Sequence, residues 1–383
     1  MENTITISPS ILNWIGEIAD HMVLNEKDRL LITAWLSGEK LPTIAKLRRM
    51  STKLGIPFGY FFLDTPPEEN ISLVEFRTID SVLLQNPSRN LIDTIDQMEA
   101  IQEWTAEYLQ RNQVGMNQFQ GSGYIHEDID IARERILRVL NLSLDWSVKS
   151  KKPEMSFNMI RSACESIGIL VLMNGIVGTN THRKLNLEEF RAFTLTNAYA
   201  PLIFINGTDT MTGKLFSLLH ELAHVFIGKN SLYNQAIGKN ESKEKEEVFC
   251  NALAAELLVP IELFISSWQS LEAGIEEKIA LISKKFTCSR LVIARRALDS
   301  RYINQKQYDE LIAIFRKEYI DLKQEKKSSG GDFYNTMQAR YDHRFLRLLA
   351  LSASEGSTNY RDAYKLTHTN RSSFDKLIET IGR

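Results

Sequence analysis

An H-E-x-x-H pattern, formed by His220, Glu221 and His224, lies within the apolar, helically periodic stretch 215–228. Residues four apart share one face of a helix, so both imidazoles can bind the same tetrahedral Zn²⁺. Glu221 follows the first histidine by about 100° of helix rotation, so its carboxylate can reach a metal-activated water without binding the metal. The pattern predicts metal-dependent hydrolysis with Glu221 as general base. Because the same letters also occur by chance in ordinary helices, a third ligand is needed to decide.

The third metal ligand is expected in a second helix, predicted at 242–259 and ended by Pro260. Glu247 shares a helix face with Cys250, Asn251 and Ala254, and small residues of this kind let two helices approach closely. The start of the helix is acidic, with Glu241, Glu244, Glu246 and Glu247. Register alone leaves Glu244 and Glu246 open as alternatives, although an acidic helix start is also favoured by the helix dipole.

The two motifs together resemble the ImmA/IrrE family of metallopeptidases. Residues 216–224 read F-S-L-L-H-E-L-A-H, and residues 247–260 read E-V-F-C-N-A-L-A-A-E-L-L-V-P. The family's second signature is approximately E-x-x-A-N-x-F-A-A-x-L-L-M-P, so its first Glu falls on Glu247 and its Asn on Asn251. Cys250 stands where Ala is usual, and Leu253 where Phe is usual. Upstream, residues 190–195 are similar to the family's E-F-R-G-F-A-L segment.

The resemblance implies a zinc endopeptidase in which His220, His224 and Glu247 bind Zn²⁺ and Glu221 is the base. It also implies a narrow substrate, typically a helix-turn-helix repressor or antitoxin-like protein that is cut to control transcription. The setting would be a mobile element, a stress response or a toxin–antitoxin pair with a cognate toxin. The alternative is a non-enzymatic transcriptional regulator or antitoxin-like protein with a structural or vestigial zinc site. Glu221 favours the enzyme, because a structural site needs no base.

The predicted fold class is α+β and mostly helical, with a compact HExxH metallopeptidase domain. Short apolar runs at 169–173, 190–195 and 201–206 predict a small antiparallel sheet beside the zinc helix. Four further helices are predicted at 261–268, 275–286, 290–299 and 304–324. The predicted parts are 1–70 (helix-turn-helix-like), 71–150 (helical connector), 151–300 (metallopeptidase) and 301–383 (helical, with a linker near 325–332).

The first part resembles a Cro/repressor-type helix-turn-helix domain, because residues 35–43 read W-L-S-G-E-K-L-P-T before a further helix. The charges of residues 1–66 balance, however, whereas a DNA reader usually presents a basic face. The basic residues are Lys27, Arg29, Lys40, Lys46, Arg48, Arg49 and Lys53, and the acidic ones are Glu2, Glu17, Asp20, Glu26, Asp28, Glu39 and Asp64. We therefore predict a degenerate domain used for protein contact, with sequence-specific DNA binding as the less favoured reading.

Composition and local signals add expectations about location and about single residues. The net charge of −2 gives no global attraction to nucleic acid or membrane, and no apolar run approaches the roughly 20 residues of a membrane span. Three scattered cysteines (Cys164, Cys250 and Cys288), each interpreted as a buried small hydrophobe, suit a reducing cytoplasm. Thr208 or Asp209 is expected to cap the zinc helix. His182, Arg183 and Tyr233 are candidate donors to an oxyanion.

Overall fold

The computed structural model describes residues 4–20, 24–67, 87–233, 241–325 and 339–379. These residues form two compact units, which divide between Asp96 and Gln97. The predicted boundary at residue 70 and the predicted linker near 325–332 lie outside the described residues, except for Glu325 itself.

The first unit is a small helical domain with its own core. It contains α1 (Pro9–Asp20), α2 (Glu26–Leu36), α3 (Ile44–Leu54) and a 3-10 turn (Phe58–Phe62). Its core consists of buried side chains from all of these elements: Ile11, Ile15, Ile32, Trp35, Leu47, Met50, Leu54 and Phe61. The buried carboxylate of Asp28 on α2 binds Arg49, at 2.7 Å, and Lys53 on α3. The charges of Arg49 and Lys53 are therefore paired within the domain.

The rest of the chain is mostly helical, which confirms the predicted fold class. The further helices are α4 (Arg89–Arg111), α5 (Ile129–Val139), α6 (Trp146–Lys149), α7 (Pro153–Ser166), α8 (Met211–Ile227), α9 (Glu241–Leu258), α10 (Ile261–Gln269), α11 (Ile275–Lys285), α12 (Arg290–Asp299), α13 (Gln305–Glu325), α14 (His343–Ser354), α15 (Tyr360–Leu366) and α16 (Arg371–Glu379). The second motif helix and the four helices after Pro260 therefore match the predicted stretches to within about two residues.

A four-stranded sheet lies beside these helices in the order β1, β5, β4, β6. The strands are β1 (Leu170–Asn174), β4 (Ala192–Leu195), β5 (Leu202–Asn206) and β6 (Ser231–Tyr233), and a separate hairpin joins β2 (Ile176–Val177) to β3 (Asn180–Lys184). The predicted antiparallel arrangement is wrong for one pair, because β1 runs parallel to β5. The apolar pattern of a strand does not encode its direction. The chain passes through the hairpin and β4 after β1, and only then forms β5, which pairs with β1.

Helix α8 is the central buried helix of the second unit. It packs against β4, β5 and β6 on one side and against α7 and α9 on another. All residues from Ser217 to Ile227 are buried, as expected for a helix that is apolar nearly all round. Gly228, with a φ of 69°, ends the helix in the left-handed conformation that glycine adopts easily.

The predicted cap of this helix is wrong by one or two residues. The hydroxyl of Thr210 accepts the hydrogen bond from the Gly213 amide, at 3.1 Å. Asp209 instead binds Arg191 at 2.5 Å, and the Thr208 hydroxyl donates to the side chain of Asn206. Thr208, Asp209 and Thr210 are all residue types that can cap a helix. The first two bind other side chains, and Thr210 forms the cap.

No single helix within the described ranges is long and apolar enough to cross a membrane. Helices α9 and α10 meet that criterion only as a pair, by length and composition, across a bend of 55°.

Candidate metal centre

Two helices bring together a cluster of three potential metal ligands, His220, His224 and Glu247. The Nε2 atoms of the two histidines are 3.1 Å apart. One oxygen of Glu247 lies 3.2 Å from Nε2 of His220, and the other lies 3.4 Å from Nε2 of His224. Donor atoms placed about 2.0–2.1 Å from a tetrahedral Zn²⁺ are roughly 3.3 Å apart. The donor types and their separations therefore fit a zinc ion.

The structure also separates Glu247 from its competitors. The carboxylate of Glu246 points to Lys229, with an oxygen 3.9 Å from the Nζ atom. The side chain of Glu244 lies outside the described residues. Close contact between α8 and α9 is possible because Cys250 and Ala254 are small and fully buried. Among the glutamates whose side chains are described, the one that shares a face with these small residues is the one beside both histidines.

The charges around the three ligands are already complementary. Burial by itself would raise the pKa of Glu247, but His220 and His224 hold it well below its usual range. Burial by itself would lower the pKa of His224, but Cys250 and Glu247 raise it above its ordinary value. Burial raises the pKa of the Cys250 thiol. Glu247 is therefore ionised, the form that binds a cation, while Cys250 is a neutral buried residue, as predicted.

Access to the cluster is possible from the side of Glu247. His220 and His224 are buried, whereas 35% of the Glu247 side chain is exposed. A catalytic zinc site keeps one coordination position open, whereas a structural site is closed by four protein ligands. Three converging ligands with one exposed side are typical of the catalytic kind.

Glu221 is fully buried, and its carboxylate is held on one side only. Its Oε2 atom accepts a hydrogen bond from Thr194 Oγ1, at 2.6 Å, and another from Ser231 Oγ. Its Oε1 atom is buried and has no hydrogen-bond partner in the part of the chain that the structure describes. An unpaired buried carboxylate oxygen is costly unless a further donor occupies the site. Among the two carboxylate oxygens, Oε1 is therefore the one that these hydrogen bonds leave available to a further donor.

The two hydroxyls on Glu221 come from neighbouring strands, and we call Thr194 and Ser231 the hydroxyl pair. Thr194 lies on β4 directly opposite Ser231 on β6, so both side chains emerge on the same face of the sheet. Neither residue is a candidate in the sequence. Thr194 lies inside a predicted apolar strand, and a polar residue among apolar neighbours is the one feature there that indicates a buried hydrogen bond. β6 has three residues and was not predicted.

The three proposed oxyanion donors are not brought to one place by the described contacts. His182 and Arg183 lie on β3 of the hairpin, where His182 is exposed and Arg183 is buried. Tyr233 ends β6, and its side chain lies outside the described residues. Their role as oxyanion donors stays a prediction.

Comparison with known families covers the segment that carries these residues. Residues 164–298 match the model of the IrrE N-terminal-like domain, Peptidase_M78. This IrrE-like segment runs from the end of α7 to α12 and contains His220, Glu221, His224 and Glu247. It supports the predicted peptidase relationship for the second unit, whereas the helix-turn-helix resemblance of the first unit rests on sequence alone.

A second family model, a domain of unknown function (DUF8813), matches residues 341–380. It begins just before α14 and covers the last three helices. Neither a curated protein nor a solved structure matches the chain.

Proposed function

We propose that this protein is a zinc-dependent endopeptidase. The observation that carries the proposal is the state of Glu221, a buried carboxylate with one oxygen fixed by the hydroxyl pair and the other unpaired. Its neighbour in sequence, His220, belongs to a three-ligand cluster with the spacing that zinc requires. A purely structural metal site has no use for a buried, half-satisfied carboxylate, and the match to a peptidase family points the same way.

The chemistry divides between the metal and the chain. His220, His224 and Glu247 would hold Zn²⁺, which would supply a Lewis acid for the scissile carbonyl and lower the pKa of a water molecule. Glu221 takes a proton from this water on Oε1 and returns it to the nitrogen of the leaving amine. The hydroxyl pair holds Oε2, so the carboxylate stays oriented during both transfers.

The edge of the sheet offers a place for an extended substrate. In the described residues β6 pairs with β4 on one side, and it stands last in the strand order β1, β5, β4, β6. Ser231 connects this edge strand directly to Glu221. We propose that a segment of the substrate protein adds to this edge as a further strand, which brings its backbone next to the general base.

The substrate we propose is a helix-turn-helix repressor or antitoxin-like protein in the cytoplasm, cut once to control transcription in a mobile-element, stress or toxin–antitoxin setting. The test is to incubate the zinc-loaded protein with the helix-turn-helix protein encoded beside it, and to follow intact masses over time. We expect one cut that stops when zinc is chelated and resumes when zinc is restored. A substrate that stays intact with a fully zinc-loaded protein would contradict the proposal.

Removing one hydroxyl of the pair should slow cleavage without removing the metal. Thr194→Val keeps the shape of the side chain but deletes a hydrogen bond to a charged group, so kcat should fall roughly tenfold or more. Thr194→Ser keeps the hydroxyl and is the control, with a kcat close to that of wild type. Zinc content, measured for both variants, should equal that of wild type. A kcat for Thr194→Val equal to that of wild type would show that the hydroxyl pair does not position the base.

DNA binding by the first unit should be weak and without sequence preference. The basic and acidic residues of 1–66 balance, and Asp28 pairs with Arg49 and Lys53. We expect the full chain to bind a fluorescent duplex from its own promoter no better than a scrambled duplex. Binding should fall steeply between 50 and 200 mM salt, as it does for contacts with phosphates alone. A nanomolar complex specific for the promoter at physiological salt would instead favour the transcriptional-regulator alternative.

A further inference from the structure

A cavity lies in the second unit, and none of its lining residues belongs to the metal centre. Its volume is about 850 Å³, which is within the range of small-molecule sites. It is bounded by the loop 115–119, by the C-terminal end of α7 and by the first turn of α14. The ionisable groups on its wall are Glu165, His343, Arg344 and Arg347.

Arg344 is the unusual member of this wall. Its Nη1 atom is buried and has no hydrogen-bond partner among the described residues. The guanidinium lies so close to Gly168 that a Cβ atom there would be 2.6 Å from Nη1. Gly168 has a φ of 87°, so it ends α7 in the left-handed conformation and at the same time leaves room for the arginine.

The carboxylates of Glu165 and Asp342, which lie near Arg344 in the sequence or in the cavity wall, accept hydrogen bonds from other groups. One carboxylate oxygen of Glu165 accepts from Nε of Arg161, at 3.1 Å. The carboxylate of Asp342 accepts from the amides of Val171, at 3.0 Å, and Phe345, at 2.8 Å.

Three backbone carbonyls at the end of α7 accept hydrogen bonds from groups other than Arg344. The carbonyl of Glu165 accepts from the amide of Gly168, at 3.1 Å, and that of Cys164 accepts from Ile167 and Ile169. The carbonyl of Ile167 accepts from the side chain of Asn117, at 2.8 Å. These hydrogen bonds complete the helix end without using the guanidinium.

A buried guanidinium nitrogen without a hydrogen-bond acceptor is costly, and Nη1 of Arg344 has none among the described residues, so the arrangement favours an anion as its partner. Arg347 lines the same cavity three residues later, which is the spacing that puts two side chains on one face of a helix. It is exposed, and its Nε atom donates to the carbonyl of His343 on its own helix, at 3.3 Å. Planar guanidinium groups match the oxygen pairs of phosphates and carboxylates.

We propose that this cavity binds a small molecule through its phosphate or carboxylate group, with Arg344 as the principal contact and Arg347 as the second. The bound molecule joins α14, within the segment that matches DUF8813, to the end of α7, within the IrrE-like segment. The proposal is independent of the peptidase assignment, because no residue of the metal centre takes part in it.

The test is calorimetric titration and thermal unfolding of the full-length protein with inorganic phosphate and, separately, with succinate. Potassium chloride at matched ionic strength is the reference. Saturable binding of either anion, with a rise in Tm beyond the chloride reference, is expected, and the anion that binds identifies the ligand class. Arg344→Gln should weaken binding at least tenfold, and Arg347→Gln severalfold.

Arg361→Gln is the matched control, because Arg361 is exposed on the neighbouring helix α15 and lies outside the cavity. It removes the same charge and should leave binding unchanged. If Arg344→Gln does not fold, the exposed Arg347 decides the matter alone. The proposal is wrong if neither anion binds saturably, or if the cavity variants that fold bind as tightly as wild type and Arg361→Gln.

Discussion

Glu247→Ala should purify with far less zinc than the wild-type protein, which is expected to hold about one ion per chain. The variant leaves His220 and His224 in place but removes the carboxylate whose two oxygens face both imidazoles. Loss of a residue that only supports a ligand typically costs 10–100-fold in metal affinity, so loss of a ligand should cost at least about 100-fold. Metal analysis by mass spectrometry after mild dialysis measures the difference.

Glu246→Ala is the matched control for this experiment. It removes the same charge one residue away, from a carboxylate that points to Lys229. Its zinc content should equal that of wild type. If Glu246→Ala lost the metal and Glu247→Ala kept it, the ligand set would have to shift by one residue, and the packing of α9 on α8 would be wrong.

Glu221→Gln should retain zinc and lose catalysis. The amide oxygen of glutamine can accept both hydrogen bonds of the hydroxyl pair, and its NH₂ group takes the place of the unpaired oxygen. The variant should therefore fold, with a Tm near wild type. What it lacks is basicity, and a general base typically contributes 10²–10⁴-fold to the rate. His220→Ala is a poorer test, because it would remove the metal and disturb the buried helix together.

The helices and the principal residues of the candidate site could be predicted because their signals are local. His220 and His224 lie one turn apart in a single helix, so their spacing alone places both imidazoles on one face. The small residues Cys250 and Ala254 indicated which face of α9 packs, but register left Glu244 and Glu246 open, and the family resemblance singled out Glu247. Most helix ends agree with the apolar periodicity, which is also a local signal.

Contacts between distant segments could not be predicted in this way. The hydroxyl pair depends on the register between β4 and a three-residue strand, which no local pattern specifies. The parallel pairing of β1 with β5 and the cap at Thr210 likewise depend on tertiary partners. The cavity at Arg344 brings together residues from five separated parts of the chain, and in sequence that arginine is one charged residue in an amphipathic helix.

The central claim, that this chain is a peptidase rather than a binding protein, is tested most directly by one time course. Wild type and Glu221→Gln, each loaded with zinc to the same measured occupancy, are incubated with the helix-turn-helix protein encoded beside them, and intact masses are recorded. The account predicts a single cut by wild type and a rate at least 10²-fold lower for Glu221→Gln. Equal cleavage by both proteins, or equal control of an uncut partner, would contradict it.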